Sequence, residues 1–455
     1  MPGLYTDLYE LRMAASYLRR GMAGPATFSL IMRSLPPDRG FLVAAGLADA
    51  LAFLERFHFD DADLDYLRTI RCLPEDAVGA LSDVRFTGDV WAVPEGRIVY
   101  AGEPLLEVTA PIAQAQLVET ALLNVITHQT SIASKAARCR LAADGAQLVD
   151  FAFRRTHGLE AAMAVARASA IVGFTATSNV EAARRYGLRP TGTMAHSFVE
   201  AFPDERSAFA AFAVDYPGAT VFLVDTYDTL GGVRTAIDVA RQLRLPGPIG
   251  VRLDSGDLAG LAVAARQLLD GAGLTDARII ASGGLDEYAI ADLVATGAPI
   301  DAYGVGTKMG VSADAPYLDS AYKLVAYGKR PVMKLSPGKI TLPGAKQVFR
   351  AGTVGDDIIG LRTEPAPPGH TLLLRPVMAL GQRLTTTDEY GPADDIDAAR
   401  RRVDTDLAHL PEPARRLRGP TPPRPAVSPA LDRLREDVLG GILDRRAAER
   451  LPVSG

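Results

Sequence analysis

The chain has 455 residues, 48% of them hydrophobic and 23% charged, and its 49 Lys+Arg against 54 Asp+Glu leave a formal net charge of −5. Length and composition fit a globular protein with a sizeable core and exclude a small stapled scaffold, while the acidic balance without long basic runs excludes nucleic acid as the main partner. Two cysteines, Cys72 and Cys139, cannot build a disulfide framework or by themselves fill a structural zinc site, and every apolar stretch is broken by charge well short of a membrane span. The first turns carry Asp7, Glu10 and Arg12 instead of the basic, then apolar order of a secretory signal, so a cytoplasmic location is expected.

Residues 1–112 read as an α+β domain, with helices predicted at 5–19 and 47–56, strands at 27–32, 86–93, 97–100 and 105–108, and a turn at Pro94-Glu95-Gly96. Residues 113–145 read as connecting helices. From 147 to 307 one phrase repeats: a short β-branched run, a polar and glycine-bearing cluster, then an alanine-rich helical stretch. That alternation predicts βα units around a parallel sheet. The runs lie at 148–153, 170–174, 191–195, 220–225, 249–253, 278–281 and 300–305, with a possible eighth at 322–325, and helices at 160–167, 180–186, 230–243 and 258–269. An irregular TIM-like α/β barrel over 146–345 is the favoured fold, although an open doubly wound sheet has the same local pattern and only closure separates them. Residues 346–455 add strands near 357–361 and 371–375, a Pro-rich segment at 419–425 and a polar helix at 431–449, expected to pack on the N-terminal domain.

In parallel α/β folds ligands sit beyond the C-terminal strand ends, so the residues following each run are the informative ones. They are Arg154-Arg155-Thr156-His157-Gly158, Thr177-Ser178-Asn179, His196-Ser197, Asp225-Thr226-Tyr227-Asp228, Arg252-Leu253-Asp254-Ser255-Gly256-Asp257, Ser282-Gly283-Gly284 and Gly304-Val305-Gly306-Thr307. The two glycine clusters read either as a phosphate cup of backbone N–H groups or as tight βα turns. Asp225, Asp254 and Asp257 would crowd acid on one rim, which Mg²⁺ or a ribose diol would relieve; read singly, Asp225 and Ser255 are equally helix N-caps. His196 follows an apolar run beside a hydroxyl, among acidic and glycine loops, and is the histidine best placed for chemistry. His157 is a weaker candidate, and His58, His128, His370 and His409 lack such company.

In chain order, Thr6-Asp7-Leu8-Tyr9, Arg39-Gly40-Phe41-Leu42-Val43-Ala44-Ala45-Gly46-Leu47, Arg154-Arg155-Thr156-His157-Gly158, Gly192-Thr193-Met194-Ala195-His196-Ser197, Asp225-Thr226-Tyr227-Asp228-Thr229, Val251-Arg252-Leu253-Asp254-Ser255-Gly256-Asp257-Leu258, Gly304-Val305-Gly306-Thr307 and Leu342-Pro343-Gly344-Ala345-Lys346-Gln347-Val348 resemble the nicotinate phosphoribosyltransferases. These enzymes join nicotinate to phosphoribosyl pyrophosphate in NAD synthesis. The resemblance implies an irregular barrel, an N-terminal domain completed by C-terminal strands, and a cytoplasmic homodimer with shared active sites. It implies that Phe151 and a neighbouring subunit's Tyr9 sandwich the pyridine ring, with Arg154 near its carboxylate. Arg252 and Asp254 would contact the ribosyl group, Gly283, Gly306 and Thr307 the 5′-phosphate, and Arg33 a phosphate. Asp225 and Asp254 would face Mg²⁺ and pyrophosphate, and His196 would be the phosphorylated histidine that couples ATP hydrolysis to synthesis. No nucleic acid or membrane is implied.

Related nicotinamide enzymes place an aspartate where this chain aligns Ser178. A carboxylate ~4 Å from the nicotinate carboxylate would cost about 4 kcal/mol at an effective dielectric near 20, roughly a thousandfold in affinity. Ser178 removes that repulsion and favours nicotinate. Gly284 stands where many relatives carry an acid, and the chain after about residue 350 matches the family poorly. Lys334, Lys339, Lys346 and Arg350 read as solvated surface charge rather than as nucleotide contacts. The competing readings are a nicotinamide or quinolinate phosphoribosyltransferase on the same barrel, and a phosphate-binding barrel without catalysis.

Overall fold

The computed structural model describes residues 2–218, 220–336, 341–352, 354–385 and 387–449. The chain divides into two units, Met1–Ser131 with Tyr317–Gly455, and Ile132–Pro316. The helix Glu119–Ala142 carries the chain from the first into the second.

The second unit is built on six parallel strands: β1 (Gln147–Asp150), β2 (Ala176–Thr177), β3 (Val221–Leu223), β4 (Gly250–Leu253), β5 (Arg278–Ala281) and β6 (Ala302–Val305). Their hydrogen-bonded order is β2-β1-β6-β5-β4-β3. The last strand returns to pair with the first, Asp150 opposite Val305, and from there the order descends to β3. A doubly wound sheet would instead run outward in ascending order on both sides of β1, so this cyclic order is that of a TIM-like barrel. Alternate residues of these strands, among them Leu148, Val251, Leu253, Ile279, Tyr303 and Val305, are buried, each large apolar side chain contributing roughly 1.5–3 kcal/mol. Helices following β2, β3, β4 and β5 start on an Asn or Asp side chain that accepts a backbone N–H: Asn179, Asp228, Asp257 and Asp286.

The junction between β2 and β3 is the one place where described strands that are neighbours in the ring do not pair. Two expected strands fail here. The run at 170–174 opens as the end of a helix, Leu159–Ile171, whose last ten residues are all buried; an apolar run cannot distinguish a submerged helix from a strand. The run at 191–195 is preceded by a single bridge between Thr177 and Pro190, but β2 ends there because Asn179 turns to cap the helix Val180–Tyr186, leaving residues 192–195 no partner strand.

In the first unit, Pro25–Met32 lies at the middle of a mixed-origin antiparallel sheet, between Ser320–Tyr327 on one side and Pro104–Pro111 on the other. Asp89–Ala92, Arg375–Ala379 and Gln382–Arg383 extend it, so residues from both ends of the chain complete one sheet, as expected. The eighth run, 322–325, belongs to this sheet, where Tyr322 stacks on Phe28 at 4.8 Å; the parallel unit therefore closes at Pro316, ahead of the boundary expected at 345. A second sheet joins Lys346–Arg350, Asp357–Leu361, Thr371–Leu372 and Ala426–Val427. Lys346 and Arg350 are buried in it, a correction to their reading as surface charge. Lys346 pairs with Glu107 at 3.2 Å, and Arg350 with Asp357 at 2.6 Å and Asp406 at 3.3 Å. Burial of a charge demands such partners, and alternation alone does not reveal them. Lys334 is exposed, and Lys339 lies outside the described residues.

Candidate active site

The C-terminal ends of β3, β4 and β5 carry a continuous polar web. Arg252, on β4, is its hub: Nε donates to Ser282 Oγ at 2.9 Å, one terminal nitrogen donates to Thr193 Oγ1 at 2.6 Å and to Met194 O at 3.3 Å, and the other reaches Asp254 Oδ1 at 3.2 Å. The guanidinium thus does for residues 193–194 what a strand ladder does not, and it brings the segment that leads to His196 onto the rim. The same guanidinium lies 5.7 Å from the centre of the Phe151 ring. Ser282 Oγ also donates to Asp254 Oδ1.

Asp225, which follows β3, accepts from the Asp254 backbone N–H at 3.2 Å and from Ser255 Oγ at 2.6 Å, both through Oδ2. Its Oδ1 is buried without a hydrogen-bond partner. Asp225 and Ser255 are therefore not caps; Asp228 and Asp257 take those places. His196 opens the short helix His196–Glu200. Its Nδ1 shares a hydrogen bond with Thr226 Oγ1 at 3.2 Å and its Nε2 lies 3.9 Å from Asp254 Oδ2. With its side chain 43% exposed and that of Asp254 26% exposed, the pair is open to a ligand.

The glycine clusters are demanded by packing. Gly283 has φ +94°, and a Cβ there would stand 2.0 Å from the Asp254 carbonyl oxygen. A Cβ on Gly304 would strike the Phe151 ring at 2.5 Å, so this glycine seats the ring. Gly306 and Thr307 follow on the same strand end, with Thr307 exposed at the start of Thr307–Gly310. Lys308, absent from the sequence reading, adds a cation beside them and bonds Asp286 Oδ2 at 2.9 Å. Burial works against the ionised Asp286 carboxyl, but the Ala289 N–H and the Lys308 ammonium outweigh it and hold its pKa below the usual carboxylate value.

Phe151, half-buried, leaves β1 with its N–H donating to Val305 O at 2.8 Å. Arg154 and Arg155 are exposed on the turn Phe153–Arg155, and Ser178 is half-buried with its N–H donating to Asp150 O at 2.8 Å. His157 is exposed. Tyr9 and Arg33 belong to the first unit. Tyr9 is exposed on the helix Leu8–Arg19; partial burial, then the neighbouring Glu119 and Glu10 carboxylates, push its phenol pKa up. Arg33 pairs with Asp319. The web thus gathers Phe151, His196, Asp225, Arg252, Asp254 and Gly283, whereas Tyr9 and Arg33 are organised within the other unit.

Among the described residues, no group of three or more His, Cys, Asp or Glu stands ready as a metal cage. Two carboxylates, one with an unfilled buried oxygen, suit Mg²⁺, which takes few protein ligands and completes its shell with phosphate and water. No helix among the described residues is long and apolar enough to cross a membrane.

Residues 4–127 match the nicotinate phosphoribosyltransferase (NAPRTase) N-terminal domain, and residues 146–337 the nicotinate phosphoribosyltransferase (NAPRTase) family. The chain is 50% identical to the nicotinate phosphoribosyltransferase pncB2 of Mycobacterium tuberculosis over 407 residues, 88% of this chain and 87% of that protein. It is 47% identical to the nicotinate phosphoribosyltransferase of Bacillus subtilis over 357 residues, 76% of this chain and 72% of that one. The crystal structure of human nicotinic acid phosphoribosyltransferase superposes with a TM-score of 0.82 at 29% identity, covering 95% of this chain and 99% of that chain. With the cyclic barrel, the rim web and these likenesses in agreement, the chain belongs to the nicotinate phosphoribosyltransferase family.

Proposed function

We propose that the chain makes nicotinate mononucleotide and pyrophosphate from nicotinate and phosphoribosyl pyrophosphate, in NAD salvage, and couples this to ATP hydrolysis through a phosphohistidine at His196. The observation that carries the reading is the rim web in which Arg252 ties Asp254, Ser282 and the His196 segment together beside Phe151. The pyridine nitrogen attacks the anomeric carbon, the C–O bond to pyrophosphate breaks, and positive charge builds on the sugar while negative charge builds on the leaving group. Asp254 faces the first charge and Arg252 holds Asp254 in place, so the stabilising charge is set before the reaction begins. Mg²⁺, held by Asp225 and Asp254, would neutralise the departing pyrophosphate.

Phe151 stacks the pyridine ring on one face, with Tyr9 of a second copy on the other in a homodimer. Arg154 attracts the nicotinate carboxylate, and Ser178 leaves that carboxylate unopposed. Gly283, Gly306 and Thr307 receive the 5′-phosphate, with Arg33 a further phosphate contact. In the coupling step one imidazole nitrogen of His196 takes the γ-phosphoryl group: the N–P bond forms, the P–O bond to ADP breaks, and water later releases phosphate. Asp254 and Thr226, one at each ring nitrogen, support the ring's orientation.

The test is pyrophosphate release with nicotinate, nicotinamide or quinolinate, each with and without ATP. Turnover confined to nicotinate and raised by ATP is expected; turnover with another pyridine alone overturns the Ser178 assignment. His196→Ala should lose all labelling from γ-phosphate-labelled ATP while keeping ATP-independent transfer, and a variant that still takes up label refutes the coupling role.

A further inference from the structure

We propose that Asp150 is a positioning residue that sets the spacing between Phe151 and Ser178, and so governs affinity for the pyridine substrate without touching it. The proposal rests on the reading of Phe151 and Ser178 as walls of the pyridine slot. Asp150 is the last residue of β1, opposite Val305 on one side and Thr177 on the other. It is 1% exposed, so no ligand reaches it.

Its three acceptor oxygens are divided between the two walls. Oδ1 accepts from the Ala152 N–H at 2.8 Å, directly behind Phe151. Oδ2 accepts from Thr177 Oγ1 at 2.7 Å, and its carbonyl oxygen accepts from the Ser178 N–H at 2.8 Å. Thr177 Oγ1 in turn accepts from the Asn179 N–H at 3.1 Å, the residue that caps the next helix. One carboxylate therefore fixes the exit of β1 and the exit of β2 at once, in a ladder only two residues long.

A buried carboxylate is expensive unless its oxygens are filled, and here both are filled by donors that belong to the slot. Burial pushes the Asp150 carboxyl up, while the Ala152 N–H and Thr177 hydroxyl draw it down. A valine would serve a mere core position; an acceptor at this point serves the geometry of two loops. Bound geometry is sensitive to shifts of an ångström, and a shift here would fall on the ring and carboxylate of the pyridine, since the Asp150 carboxylate bonds Ala152 and Thr177 and neither phosphate loop.

The experiment measures KM for nicotinate and for phosphoribosyl pyrophosphate separately, with kcat at saturation. Asp150→Ala should raise the nicotinate KM about tenfold or more, with kcat and the phosphoribosyl pyrophosphate KM within about twofold of the parent. Asp150→Asn, whose oxygen still accepts from Ala152 and whose amide donates to Thr177 Oγ1, should recover to within about threefold. Thr177→Val keeps the shape and removes only the hydroxyl, so it reports even if the alanine variant fails to fold; it should move the nicotinate KM, and Thr177→Ser should restore it. An unmoved nicotinate KM in Thr177→Val, or a loss spread equally over kcat and both KM values, overturns the proposal. Phe151→Ala runs alongside: if it alone raises the nicotinate KM, the slot stands and the Asp150 role falls, whereas no effect of Phe151→Ala removes both.

Discussion

Two Arg–Asp networks, one in each unit, use the same side chains for different ends. In the first unit Arg350 joins Asp357 and Asp406, and Arg402 joins Asp388 at 2.9 Å, with the side chains of these five residues between 0% and 7% exposed. In the second, Arg252 joins Asp254, Ser282 and Thr193, but Asp254 is a quarter exposed, His196 more so, and one oxygen of Asp225 is unfilled. A network sealed from solvent is a strut, and one that keeps its carboxylate open beside a cleft is a site. Residue type does not separate them; the exposure of their carboxylates does.

Removing one partner of the Arg–Asp pair in each network should sharpen that contrast most. Arg350→Ala leaves Asp357 buried without its cation and Asp406 with Arg97 alone, and should destabilise the protein by about 3–5 kcal/mol, seen as a fall in the unfolding midpoint in urea. Its kcat/KM per folded molecule should stay near the parent value. Asp254→Ala should do the reverse: kcat/KM down by about a hundredfold or more, with little change in unfolding midpoint. Unchanged kcat/KM in Asp254→Ala, or a large activity loss in folded Arg350→Ala, would break the distinction.

A smaller effect tests the edge of the site. Ser178 is half-buried, so an aspartate there would be partly solvated and less repulsive than a fully desolvated charge. Ser178→Asp should lower the ratio of nicotinate to nicotinamide kcat/KM by about tenfold. A ratio that does not move places the selectivity elsewhere on the rim.

Much of this was legible in the sequence, and the failures have physical causes. The βα alternation is a local signal, and it predicted five of the six parallel strands, at 148–153, 220–225, 249–253, 278–281 and 300–305. It failed at 170–174, where a helix submerged on every side loses its stripe, and at 191–195, where a single bridge and a guanidinium replace a ladder. The rim residues were legible because strand ends deliver them together. Asp150 was not, because it is the final residue of an apolar strand and its partners are backbone N–H groups and a hydroxyl that no spacing announces. Lys346 and Arg350 were misread for a related reason: their partners Glu107, Asp357 and Asp406 come from other strands and helices, up to 239 residues away.

The weakest effect lies in the closed network and is a matter of protons. Glu103 is fully buried beside Asp357, with the Tyr100 N–H donating to its Oε2 at 2.8 Å. Burial, then repulsion from Asp357, raises its pKa well above the ordinary carboxylate value, against the pull of Arg350. The folded protein thus keeps a proton that the unfolded chain has released once pH exceeds that ordinary value, and folding is favoured by acid. The stabilisation is whole below the unfolded pKa and is lost as pH rises toward the folded one, at no more than about 1.4 kcal/mol per pH unit. Glu103→Gln carries the neutral form permanently. Its unfolding free energy, measured by urea titration across that window, should decline less steeply with pH than the parent's, whereas kcat/KM in both should follow the rim groups alone. Identical slopes would mean that Glu103 is ionised in the fold, and that this network, like the rim, holds charge in reserve.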